Sequence, residues 1–138
     1  MSREIKFRAW DKKNKRMFPV TTLHFDDTNF RVLTIQEHNH YSHHVFFHLD
    51  ENQAVLMQFI GLHDKNTTEV YEEDILLENS AGDLWTWIVK WNEDGYYYIL
   101  HEPSGEKLVM DDMLEVVKNS EVIGNLFENP SLLAGDNP

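Results

Sequence analysis

A chain of 138 residues with no cysteine, and with 24 Asp+Glu against 12 Lys+Arg for a formal charge of −12, excludes disulfides and any Cys-ligated zinc or iron–sulfur centre. Its acidity disfavours nucleic acid as a partner, because phosphates reward Lys and Arg. A 41% hydrophobic share with 12% aromatics is enough for a folded core in one domain or two small subdomains.

The first residues, Met1 to Arg8, carry charges with no apolar run behind them, and no stretch nears the ~20 apolar residues that span a bilayer. A cytoplasmic location and no membrane partner are therefore expected. Period-2 alternation recurs along the chain, which predicts strands. Ile5, Phe7 and Ala9 alternate with Lys6, Arg8 and Trp10, a polar turn follows over Asp11–Lys15, and Met17–Val20 completes a hairpin. Pro19 cannot donate to a ladder, so this second strand is expected to lie at an edge or to end there. Strands are also predicted over Phe30–Gln36, Val45–Leu49 and Ala54–Phe59.

Between Gln36 and Ser42 the chain is polar and rich in histidine, with His38, His40, His43, His44 and His48 inside eleven residues. On a single strand His38, His40, His44 and His48 would share a face. A His-x-His pair with a third imidazole can bind zinc, nickel or copper. If Gln36–Ser42 is instead a hairpin tip, the shared face is broken and the imidazoles line an exposed loop. Whether His38, His40 and His44 bind a metal is left open, and no metal site is assigned.

The polar segment Gly61–Glu69 coincides with a change in charge. Residues 1–60 hold eight Lys/Arg and seven acids, a net +1, whereas residues 61–138 hold four and seventeen, a net −13. A boundary is placed there, giving an N-terminal β-rich subdomain over 1–60 and a second subdomain over 61–138. The second is predicted to contain strands Tyr71–Glu78, Leu84–Trp91, Tyr96–Leu100, Lys107–Met110 and Val122–Phe127, separated by Gly-bearing turns, with helix somewhere in Met110–Val117. Short strands at this spacing suggest a small barrel or sandwich. The tail is expected to dock through Leu132 and Leu133.

Three blocks carry a resemblance: Ile5–Asp11 (IKFRAWD), Leu56–Asn66 (LMQFIGLHDKN) running on to Val70–Ile75 (VYEEDI), and Glu121–Pro130 (EVIGNLFENP). In this order and spacing they resemble the YopX family of small phage and prophage proteins. The resemblance implies an all-β protein, a small N-terminal β part followed by an SH3-like β-barrel, and a phage or prophage origin. It brings no reaction. The chain departs from the family pattern at Asn66-Thr67, where Asn-Gly is usual, and at Glu73, where Gly precedes Asp-Ile; a β-branched Thr disfavours the left-handed backbone of a type I′ turn.

The aromatic strand Leu84–Trp91 puts Trp85, Trp87, Val89 and Trp91 on one face. These aromatics can fill a small barrel or form a contact surface, and which of the two Trp85, Trp87 and Trp91 serve is left open. The adjacent carboxylates Glu72-Glu73-Asp74 and Asp111-Asp112 specify no acid/base pair, since strand neighbours diverge. No phosphate loop or nucleophile motif occurs. No catalytic, cofactor-binding or metal residue is therefore assigned, and no cofactor. A non-enzymatic module is expected, binding an unknown host or phage protein or self-associating into a homo-oligomer. The basic tip (Lys6, Arg8, Lys12, Lys13, Lys15, Arg16) would face the acidic half of a neighbour in such an assembly. The alternative is an acidic DNA mimic, a decoy for a host nucleic-acid-binding protein.

Overall fold

A polar run between two alternating stretches must reverse the chain while keeping its backbone groups satisfied, and Asp11 performs this for the first hairpin. The computed structural model describes residues 4–25, 31–36, 44–48 and 54–133. In it the Asp11 carboxylate, 1% exposed, accepts the N–H groups of Lys13 (3.0 Å) and Asn14 (3.2 Å) and the Asn14 side-chain amide (2.8 Å). The turn therefore closes on a buried acceptor, as Asp favours.

The chain divides into two compact units, which within the described residues fall in 4–58 and 59–133. The first contains β1 (Phe7–Asp11), β2 (Arg16–Phe25), β3 (Arg31–Gln36), β4 (His44–His48) and the start of β5 (Ala54–His63), antiparallel in the order β4-β3-β2-β1-β5. Ala9, Phe18 and Ala54 form its buried centre, with Val20, Leu23 and Leu56 packed on them. Pro19 does not end β2. Among the described residues it pairs with Arg8 of β1, and pairing with β3 begins one residue later at Val20. The missing N–H thus falls just before the described β2–β3 ladder, and β2 continues to Phe25. The predicted Phe30 and Leu49 ends of neighbouring strands, and the predicted tip over residues 37–42, lie outside the described residues.

The second unit holds the end of β5, then β6 (Glu69–Tyr71), β7 (Asp74–Ser80), β8 (Asp83–Asn92), β9 (Tyr96–His101), β10 (Glu106–Leu108), α1 (Met110–Lys118) and β11 (Ser120–Asn125). A 3₁₀ turn over Pro130–Leu133 follows. Its main sheet is antiparallel in the order β10-β9-β8-β7-β11: a four-strand meander whose last strand returns beside the first. Among the described residues no pairing of β10 with β11 is found, so this sheet is open between its two outer strands. Ile60, Val70, Leu76, Trp87, Val89, Ile99, Met113 and Val117 make the core. Met113 and Val117 sit four residues apart on the helix, so the spacing that places them on one face seals the sheet. Among the described residues no helix is long and apolar enough to cross a membrane.

Three predicted strands have different limits. Tyr71–Glu78 is two strands, because Glu73 takes a left-handed conformation (φ 71°) and Asp74 turns its carboxylate back onto the Tyr71 N–H at 2.8 Å. Lys107–Met110 stops at Leu108, and Met110 opens the helix. Val122–Phe127 begins earlier, at Ser120, and ends at Asn125, whose Oδ1 accepts Phe127 N–H (3.1 Å) and Glu128 N–H (2.9 Å) and folds the chain over. Gly124 is required by proximity: a Cβ there would overlap the Asn129 carboxamide.

The turn at Asn66-Thr67 is not the one that its Asn-Gly counterpart suggests. Thr67 N–H bonds the Asp64 carbonyl at 3.0 Å, and Thr67 alone in the turn has a positive φ, 66°. One left-handed residue after a four-residue turn needs less than a type I′ turn, which demands two. The β-branched side chain still strains it, by roughly 1–3 kcal/mol. Thr67→Gly is expected to raise unfolding free energy by about 1 kcal/mol after glycine's own entropy is set against the relief, measured by urea denaturation. Glu73→Gly should gain less, because it also deletes the 3.0 Å ion pair with Lys90.

Candidate functional site

Three of the acids that carry the sequence resemblance are bound up in the backbone. Asp64, 6% exposed, lies in the loop between β5 and β6. Its Oδ1 accepts Asn66 N–H (2.8 Å) and Thr68 N–H (2.9 Å), and its Oδ2 accepts Val122 N–H (2.9 Å) from β11. Burial pushes this carboxyl up, but hydrogen bonds from the Val122, Thr68 and Asn66 backbone and the Thr68 side chain outweigh burial and hold it below the ordinary value of 3.8. Lys65 N–H adds a bond to the Ser120 carbonyl at 3.0 Å. At the other end of β11, Leu126 N–H bonds the Glu73 carbonyl at 2.9 Å, and Glu73 N–H bonds the Val89 carbonyl at 2.9 Å. Asp11 and Asp74 act likewise in their own turns. These carboxylates are acceptors held by fixed N–H donors, a poor arrangement for passing protons.

The aromatic strand divides along its length. Trp87 is core, 3% exposed, with its indole N–H donated to Glu78 Oε1 at 3.1 Å. Trp85 is half-buried, stacked on Trp87 with ring centroids 5.8 Å apart, and the His101 ring lies 4.5 Å from it. Trp91 is surface, 49% exposed, with its ring edge-on to Tyr97 at 4.7 Å. The Tyr97 hydroxyl donates to Glu72 at 3.2 Å. Beside Tyr97 runs a groove of about 340 Å³, lined by Tyr96, Tyr97, Val109, Met110, Met113 and Leu114. Tyr96 is 43% and Met110 80% exposed. Met110 also has a left-handed backbone (φ 51°), and Val109 starts the helix with no side-chain cap. The start of α1 therefore presents exposed apolar side chains.

The predicted histidine cluster falls largely outside the described residues. His38, His40 and His43 lie outside the described residues; His44 and His48 are the first and last residues of β4, with side chains outside the description. Among the described residues no three His, Cys, Asp or Glu are grouped to hold a metal ion. On the basic hairpin Lys12, Lys13 and Lys15 are exposed, Lys6 pairs with Glu4 at 3.1 Å, and Arg16 lies 4.0 Å over the Phe18 ring.

Compared with known families, residues 6–134 match the YopX protein model. The chain belongs to the YopX family. Its structure is similar to the crystal structure of protein EF1440 from Enterococcus faecalis, with 28% identity, a TM-score of 0.59, and coverage of 96% of this chain and 99% of that one. No curated protein matches it.

In this YopX chain strand pairing joins parts of the resembling blocks within each unit. Phe7–Ala9 of the first pair with Leu56–Gln58 of the second, and β7, which opens on the second block's Asp74-Ile75, pairs with β11 of the third. The groove residues escaped the sequence reading, which put Met110 at the end of a strand or the start of a helix and gave Met113 and Leu114 no role. The available signal was Met110-Asp111-Asp112, an apolar residue followed directly by two charges just past a strand end.

Asp64→Asn is expected to destabilise the protein by about 2–3 kcal/mol at neutral pH, because an amide offers one acceptor where two are needed and charged hydrogen bonds are lost. Since the folded-state pKa is depressed, the gap between wild type and variant is full above the unfolded pKa and closes as pH falls through the folded one. Urea denaturation at stepped pH measures it.

Proposed function

We propose that this YopX-family protein is a non-enzymatic binding module that contacts another protein, or another copy of itself, through the exposed aromatic and methionine face of its second unit. One observation carries the reading. Among the described residues six large hydrophobic side chains are exposed, and four of them, Trp91, Tyr96, Val109 and Met110, lie in or beside the α1 groove. Contiguous exposed apolar surface of this kind marks contact sites, and methionine adapts its shape to varied partners. The meander with its fifth strand beside the first supports an open relative of the SH3-like barrel as scaffold. A host-cytoplasm setting as a phage or prophage product belongs to the same proposal and rests on the family resemblance.

The acidic-decoy alternative draws less support. Glu72, Glu73, Glu78, Asp64 and Asp74 bond within the protein. The exposed Asp83, Glu102 and Glu106 flank turns at the opposite end of the meander from Glu93 and Asp94, so they do not form one row.

Wild type and a Tyr96→Ser, Met110→Ser variant, used as full-length bait in the host and compared by light scattering alone, test the proposal. A partner, or self-association, present with wild type and reduced about tenfold in the equally folded variant is expected. Identical recoveries and identical masses would overturn it.

A further inference from the structure

Resting on the protein-binding reading of the groove, we infer that its occupant is a segment of another protein that sets apolar anchors between Lys or Arg residues. The groove floor is apolar, formed by Tyr97, Met113 and Leu114 with Tyr96 and Met110 at its sides. At about 340 Å³ it is at the small end of ligand pockets, suited to a few apolar side chains rather than to a whole domain face. Acidic residues flank its lining residues in sequence. Glu93 and Asp94 precede Tyr96 in the β8–β9 turn, and Asp111 and Asp112 follow Met110; all four are exposed.

No Lys or Arg is among the residues that line the groove. Neither residues 91–98 nor residues 109–117 contain a Lys or Arg. Lys90 is engaged with Glu73 at 3.0 Å, and Lys107 lies 5.2 Å over the Tyr98 ring. An apolar floor whose lining residues are flanked by acids selects apolar anchors flanked by bases, and penalises acidic segments by like-charge repulsion. The same acids repel anionic lipid headgroups, which attract basic segments. Helix-in-groove recognition uses anchors at i, i+3 and i+4, the spacing that a short amphipathic helix would present.

Fluorescence anisotropy with two labelled helical peptides tests the inference, both with Leu at amphipathic spacing, one filled with Lys and the other with Glu. The full-length chain is expected to bind the Leu/Lys peptide at least about tenfold more tightly than the Leu/Glu peptide, a difference of about 1.4 kcal/mol, and to bind it more weakly as salt rises. Met110→Ser should remove most of the binding to both. Glu93→Gln with Asp94→Asn, away from the helix end, should erase the preference while leaving the fold intact.

Equal binding of the two peptides would overturn the inference and leave the protein-binding reading standing. Binding of neither peptide, with a self-association that Met110→Ser abolishes, would overturn it in favour of a second copy of the chain. Binding of neither peptide, with groove-dependent binding to phosphatidylcholine vesicles, would overturn both readings in favour of lipid. Binding of neither, with none of these, also overturns the inference.

Discussion

The Asp64 carboxylate joins stretches of chain that are 58 residues apart. With one oxygen it closes its own loop on Asn66 and Thr68, and with the other it takes the Val122 N–H of β11. A buried carboxylate is tolerable only when its lone pairs are met, so the loop, the start of β11 and the exit of α1 are fixed together or not at all. The Lys65 to Ser120 bond and the Ser120 hydroxyl bond to the Val116 carbonyl, 2.6 Å, extend the same junction into the helix. Once β11 is held at both ends, by Asp64 and by the Glu73 carbonyl, the meander has its fifth strand and the core has its lid.

That arrangement separates architecture from contact. Asp11, Asp64 and Asp74 serve the backbone, and the exposed apolar surface lies elsewhere, where the start of α1 meets the start of β9. A protein organised in this way offers a shaped surface, with its buried carboxylates already occupied by structural hydrogen bonds.

How much of this the sequence discloses depends on the kind of signal. The Asp11–Lys15 turn was legible because a run of five polar residues between alternating stretches has few other uses, and helix somewhere in Met110–Val117 was suggested with Asp111 or Asp112 near its N-terminus, where the helix dipole favours an acid. The break at Glu73 was not, since the left-handed residue is a Glu where a Gly would have announced the turn. Alternation placed Trp85, Trp87 and Trp91 on one face correctly, yet burial along that face runs from core to solvent; period-2 reasoning gives the face and not the extent of cover. Met110 was placed at a strand end or a helix start, and neither assignment marks a residue as exposed. The SH3-like barrel was an expectation from the resemblance, and pairing at the two outer strands is a long-range property that spacing does not encode.

The most direct test of the central claim, that a buried carboxylate ties the β5–β6 loop to β11, is an NMR titration following the Asp64 side-chain carboxyl carbon together with the amide protons of Asn66, Thr68 and Val122. The account predicts a carboxyl midpoint below the ordinary 3.8, with all three amide shifts moving along the same curve. A midpoint at or above that value, or a Val122 amide indifferent to it, would contradict the account.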